Sequence, residues 1–243
     1  MRRLLSVSLL LFISPVVFAA DVDDFVKDVL KAHAKDTATL KKQSISIIKA
    51  SGTMTLNGVK TPNIRTIQAI WPSQSLTYYE FGDEKMKGAM TLCVVNDRGW
   101  KRQSGMSADL NLEEVNDCRQ GMYAYWMLTL LPLLESGNKI TFTPGIKVNG
   151  EPTTSITVAR RNWPDMTLSF DPNTLLLRKI SYKARETGVT KLQEMILGDH
   201  KEVEGIKLPQ SLALTLDGKE IFSWTKFEYV FPEKLDRAIF DKP

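Results

Sequence analysis

The sequence predicts a mainly β protein with helices (α+β), built as a single curved antiparallel sheet that forms a half-barrel with a helical plug or lid. Three observations predict this. First, strand-length segments rich in β-branched and aromatic residues recur from 44 to 231, separated by hairpin signals such as Asn57-Gly58, Asn149-Gly150 and Asp217-Gly218. Second, Gly121–Leu134 (GMYAYWMLTLLPLL) interrupts that series with a run apolar on all sides, which must be buried or covered. At about 10–14 apolar residues it is too short to span a bilayer. Third, no Pro/Gly/Ser linker and no repeat of solenoid length divides the chain, so one domain is expected over 20–243. Roughly eleven to thirteen strands in one sheet should curl, since open twisted sheets beyond about 10 strands do so.

Taken in order, Arg2 and Arg3 form a positive n-region, Leu4 to Phe18 an apolar stretch, and Val17-Phe18-Ala19 a small-residue cleavage site. Residues 1–19 therefore read as a signal peptide cleaved near Ala19, and the mature chain as exported; retention as an uncleaved anchor is the alternative. No cysteine follows the apolar stretch, so no lipid anchor is expected. Asp21 to Lys41 reads as one amphipathic helix, with Val22, Phe25, Val26, Val29, Leu30 and Ala34 on a stripe and acids at its N-terminal end.

A meander should follow: Ser44 to Leu56, Ile64 to Trp71, Leu76 to Phe81, Met86 to Val95, and a strand opened by Trp100. The period then changes. Asn111 can cap a helix whose third position is Glu114, and a break or bend is expected at Gly121, so the helical insert spans about 111–134. Strand signals resume at Lys139–Phe142, Ile146–Val148, Thr153–Ala159, Met166–Phe170, Leu175–Tyr182, Lys191–Leu197, Ser211–Leu216 and Glu220–Phe231. The tail from Pro232 to Pro243 reads as an irregular strap pinned by Leu235, Ile239 and Phe240.

The 32 basic and 28 acidic residues give a net charge of +4, which falls to about +2 once Arg2 and Arg3 are removed. That balance offers no electrostatic case for nucleic acid. Cys93 and Cys118 would stand in an oxidising compartment. A disulfide between them would close a loop of about 25 residues, worth roughly 3 kcal/mol; two buried thiols that never meet is the other reading, and spacing does not choose. His33 and His200 have no Cys, His or carboxylate partner at ligand spacing, so no metal and no cofactor is expected. Gly105-Met106-Ser107 lacks the second glycine of a nucleophile elbow, and no phosphate-cradling loop occurs. The chain does not read as an enzyme.

The candidate site is therefore apolar. Met122, Tyr125, Trp126, Met127, Leu130 and Leu131 would face the concave sheet, as ligand lining or as plain core. Tyr78, Trp71 and Trp100 on the early strands could join them. Methionines beside rings make an adaptable surface, and Tyr and Trp carry polar tips that need partners when buried. Arg119 reads as a solvated helix position or as a latch tying the lid to the barrel.

The order of elements, with Val94-Val95-Asn96-Asp97-Arg98-Gly99-Trp100, Ile67-Gln68-Ala69-Ile70-Trp71-Pro72 before Leu76–Phe81, and the closing Pro232–Phe240 with Pro243, resembles the LolA-like and LolB-like outer-membrane lipoprotein carriers. Two local features differ: Leu76-Thr77-Tyr78 stands where LolA-like carriers show Arg-Trp, and Lys101-Arg102-Gln103 where they show an acidic dipeptide. The resemblance is thus to the broad superfamily rather than to the classical carrier. It implies a monomeric periplasmic carrier for the acyl chains of a lipoprotein or lipid, with a membrane-protein donor and acceptor. The alternatives are a lipoprotein-sensing module of the RseB kind and a β domain with a filled core.

Overall fold

The computed structural model describes residues 21–243 apart from 57, 83–86 and 187–188. The signal segment 1–19, Asn57 of the first hairpin signal, and Asp83 and Met86 lie outside the described residues.

Helix α1 (Val22–His33) opens at Asp21, whose carboxylate accepts the Asp23 N–H at 3.0 Å, and buries Val26, Val29 and His33. The expected single helix to Lys41 is two. Ala34 turns extended and bridges to Ile206, and α2 (Thr37–Lys41) then starts afresh at Asp36, which accepts the Thr39 N–H at 2.7 Å. Asp36-Thr37 is itself a capping signal, and it prevails over the continued helical spacing.

Strands β1 (Ile45–Leu56), β2 (Val59–Ile70), β3 (Gln74–Gly82), β4 (Lys87–Val95), β5 (Arg98–Gln103) and β6 (Met106–Asp109) form an antiparallel meander. Helix α3 (Leu112–Leu128) and a 3₁₀ turn (Leu131–Leu134) lead to β7 (Lys139–Phe142). A two-stranded ribbon, β8 (Lys147–Val148) with β9 (Glu151–Pro152), precedes β10 (Thr154–Ala159), β11 (Met166–Phe170), β12 (Leu177–Glu186) and β13 (Val189–Gly198). A second ribbon, β14 (Lys201–Val203) with β15 (Ile206–Leu208), was not expected from sequence; its Glu204-Gly205 turn has positive φ at both positions, as a two-residue hairpin turn of type I′ requires. Strands β16 (Ser211–Leu216) and β17 (Lys219–Val230) complete the chain.

Among the described residues thirteen strands make one open sheet in the order β6-β5-β4-β3-β2-β1-β17-β16-β13-β12-β11-β10-β7. The seam is β1 against β17, with Ile47 opposite Val230 and Met54 opposite Phe222. It shifts register at Ser51/Gly52, where a side chain on Gly52 would sit 2.0 Å from the Ser223 carbonyl oxygen. Such an irregularity bends a strand and increases twist. Because the first and last strands lie mid-sheet, the edges are β6 and β7, the two strands that flank α3 in sequence. The connection between them must therefore pass from one edge of the sheet to the other, and α3 makes that crossing inside the curve.

Alternation along the strands divides the apolar residues into two clusters. The larger joins α1, α3 and the inward faces of β10–β13, including Ile156, Met166, Leu168, Phe170 and Ile180. The smaller lies on the outer face of the meander, where Cys93, Trp100 and Phe240 pack with Leu76, Leu235 and Ile239. The Trp100 indole N–H donates to the Phe240 carbonyl at 2.9 Å, so the C-terminal strap is tied down as the tail's apolar residues suggest.

Candidate functional site

Helix α3 starts with a complete capping box: Asn111 accepts the Glu114 N–H at 2.9 Å, and Glu114 accepts the Asn111 N–H at 2.9 Å. The break expected at Gly121 does not occur; the helix runs through it to Leu128. Interior glycine costs a helix about 1 kcal/mol, a penalty that tertiary packing on both sides of it readily offsets. The helix stops where Pro132 would meet the Leu128 carbonyl. There Leu130 takes φ 59° while wholly buried, Thr129 Oγ1 donates to the Trp126 carbonyl at 2.6 Å, and Gln43 Nε2 donates to the Thr129 carbonyl at 3.2 Å. The C-terminal end of α3 is thus fixed to the body of the protein.

Between α3 and the sheet lies a cavity of about 330 Å³, within the usual range for small-molecule sites. The helix contributes one stripe, Asp117, Cys118, Gly121, Met122 and Tyr125, at the three- and four-residue spacing of a single face. The meander contributes Ile67 and Trp71 from its second strand and turn, Thr77 and Tyr79 from β3, and Leu92 and Val94 from β4. Opposite stand Tyr182 and Ala184 on β12, Leu214 on β16 and Phe222 on β17. The walls are mainly apolar, and the polar groups gather at a few points.

The chief polar point is Arg65 on β2. Its guanidinium donates to the Tyr125 hydroxyl, linking the sheet to the helix. It also lies over the rings of Tyr79, Tyr125 and Trp224 at 5.1, 4.3 and 5.4 Å, distances at which a cation is attracted to a ring face. Burial raises the Tyr125 and Tyr182 hydroxyl pKa values, against the opposing pull of Arg65. Both phenols stay protonated at neutral pH and act as donors or acceptors without charge. A second tie joins Gln120 to β12, its side-chain oxygen accepting the Arg185 N–H at 2.9 Å.

The apolar residues singled out from sequence separate into two groups. Met122, Tyr125 and Trp71 line the cavity. Trp126, Met127, Leu130 and Leu131 do not; they belong to the large buried cluster, with Trp126 packed on Tyr123 (ring centroids 5.8 Å apart). Tyr78 and Trp100 are placed by the strand period on the other face. Thr77 and Tyr79 point inward on β3 while Leu76 packs outside, and Trp100 pairs with Cys93 in the outer cluster. A one-residue step in a strand exchanges faces, so Tyr79 rather than Tyr78 meets the helix. Arg119 meets the rim of the barrel: its guanidinium stacks over Trp163, in the loop between β10 and β11, at 5.1 Å. Arg65 supplies the hydrogen bond that joins the sheet to α3 inside the cavity. Its signal was available, since Asn63, Arg65, Ile67 and Ala69 share a strand face, which puts one cation among inward-facing residues.

The cysteine bridge is absent. Cys93 is free and lies in the outer cluster with its thiol donating to the Phe240 carbonyl at 3.4 Å, while Cys118 is free and lines the inner cavity. The sheet itself separates them. Burial pushes the Cys93 thiol up to about 12 and that of Cys118 to about 11, so neither presents a thiolate nucleophile at neutral pH. His33 is spent on structure: Nδ1–H donates to the Val29 carbonyl at 2.9 Å, and Nε2 accepts the Leu177 N–H at 3.1 Å. Among the described residues no group of three metal-binding side chains forms, and no helix is long and apolar enough to cross a membrane.

No protein-family model and no curated protein sequence matches the chain. Solved structures do. A domain from Vibrio parahaemolyticus described as outer membrane lipoprotein-sorting superposes with TM-score 0.53 at 11% identity, over 91% of this chain and 97% of that one. A LolA superfamily protein from Nitrosomonas europaea gives 0.52 at 10% identity, over 86% and 98%. A DUF1329 family protein from Desulfovibrio piger gives 0.52 at 8%, over 90% and 97%. With its single open sheet and a helix crossing the concave face, the chain has the LolA-like fold.

Proposed function

We propose that the chain is an exported, periplasmic, monomeric carrier that holds an acyl chain of a lipoprotein or lipid between α3 and the sheet. The observation that carries this is the cavity of about 330 Å³ where a largely apolar face of α3 meets an apolar wall. Each methylene moved there from water contributes about 0.8 kcal/mol, so a modest pocket retains an acyl chain while the outside stays polar. The fixed C-terminal end of α3 suits a lid that lifts from the other end. Lifting it breaks the Arg65–Tyr125 bond and the Gln120 contact to β12. The leader read at 1–19 supports export, and the fold supports a carrier as far as folds do. Handover from a membrane-protein donor and to an acceptor would follow from such a role. No covalent bond is made or broken in it.

The test is native mass spectrometry of the mature protein purified from its own periplasm, before and after delipidation. A copurifying lipid, and uptake of a fluorescent acyl probe by the delipidated form, are expected. A protein that carries no lipid and takes up no probe overturns the reading.

A further inference from the structure

Two polar groups lining the cavity have donors that the fold leaves without acceptors. Tyr182 is 3% exposed, and its hydroxyl has no hydrogen-bond partner among the described residues. The Nε of Arg65 is likewise buried and unpartnered. Arg65 has no carboxylate partner among the described residues either; its guanidinium meets the neutral Tyr125 hydroxyl and three ring faces. Leaving the buried Arg65 Nε and the buried Tyr182 hydroxyl unsatisfied is unfavourable, so their coincidence in one cavity points to a guest that satisfies them. The charged residues of the lining are Arg65, Arg185 and Asp117, two guanidinium groups to one carboxylate.

We propose that the cavity selects an amphiphile with an anionic oxygen head group, a carboxylate or phosphate, seated against Arg65 and Tyr182 with a single alkyl chain along Ile67, Leu92, Val94 and Met122. The planar fork of an arginine matches either anion, and Tyr182 supplies a further O–H donor. The head group would take over the guanidinium from Tyr125, which couples occupancy to release of the α3 tie. A cavity of about 330 Å³ is near the lower end of small-molecule sites, which favours one chain over several. This inference rests on the acyl-binding reading above and adds the charge and chain number of the guest.

The test compares three guests of one chain length on the delipidated protein at pH 8 by displacement of a fluorescent acyl probe: dodecanoate, dodecyl phosphate and dodecanol. Charge-assisted hydrogen bonds should make at least one acid bind about tenfold to a hundredfold tighter than the alcohol. Which acid prevails identifies the carboxylate or the phosphate as the head group. In Arg65→Gln, and independently in Tyr182→Phe, the ratio of acid to alcohol affinity should fall toward one. Circular dichroism identifies any variant that misfolds, and the wild-type ratio stands without it. If dodecanol binds as tightly as both acids, the anionic head group is overturned while acyl binding stands. If none of the three binds, both readings fall.

Discussion

Replacing Gly121 by leucine separates a lid over a guest from a plug in a core, because the two readings give opposite pairs of results. Gly121 lies in the middle of α3 and lines the cavity, and a side-chain carbon built on it meets no atom within 4 Å. The helix gains roughly 0.8 kcal/mol from losing an interior glycine. Burying part of the leucine against the apolar wall adds a fraction of the 1.5–3 kcal/mol that full burial contributes, so Gly121→Leu should be more stable by about 1–2 kcal/mol. For a domain of this size that is a rise in Tm of about 2–4 °C per kcal/mol. The same four carbons occupy space that a guest chain needs. Displacing about four methylenes costs the guest roughly 3 kcal/mol, on the order of a hundredfold in affinity. Thermal unfolding and acyl-probe titration on one sample read both quantities. Greater stability with undiminished uptake would show that the guest binds elsewhere. A loss of stability beyond 1 kcal/mol would refute the claim of open space under Gly121.

Trp126→Ala should destabilise the protein by about 3–5 kcal/mol in urea unfolding, as for a buried aromatic, since Trp126 is 2% exposed in the core; a small effect would return it to the lining. Trp100→Phe should cost about 1 kcal/mol through loss of its bond to the Phe240 carbonyl and leave acyl uptake unchanged, because that bond lies on the outer face. Burial, with His200 and Lys207 adding repulsion, lowers the His33 pKa to about 4 from 6.5. The unfolded chain thus binds the proton first between those values, and stability should fall by up to about 3 kcal/mol as pH drops from 6.5 to 4. His33→Gln should flatten that part of the urea-unfolding profile, and an identical slope in the variant would refute the assignment. Reductant should leave Tm unchanged and thiol titration in denaturant should find two free thiols, since Cys93 and Cys118 lie on opposite faces of the sheet.

The sheet was legible because its signals are local. Met166–Phe170 and Ser211–Leu216 were bounded correctly by turn residues, and Asp217-Gly218 takes the positive φ pair that a type I′ turn demands. The helical insert announced itself through Asn111 and Glu114, two residues whose geometry is settled within one turn. What failed was phase. Apolar content placed Tyr78 and Trp100 near the helix, but facing is set by strand register, and both lie one step out of it. The cysteine pair stayed open between bridge and free thiols for the same reason, since spacing along the chain carries no record of which face each thiol takes. Arg65 was passed over because a charge in a strand reads as solvated unless the inward face is tracked residue by residue.

The question of lid or core has different answers at the two ends of α3. From Asp117 to Tyr125 one helical face looks onto the cavity, tied to the sheet by Arg65 and Gln120. From Trp126 onward every apolar side chain is packed, Leu130 is held at a backbone angle unfavourable for leucine, and Gln43 anchors the chain end. A helix apolar on all sides can satisfy both demands only if its two halves meet different environments. Leu130 can hold its unfavourable backbone angle only where surrounding packing over-determines it, which places rigidity at the C-terminal end. Any opening must then pivot there and move the N-terminal half, whose first turn is exposed at Leu112 and joined to the sheet by the partly exposed Lys101–Glu114 pair. A pair so exposed is worth under about 1 kcal/mol, so it resists opening less than the part-buried bond between Arg65 and Tyr125 further along the helix.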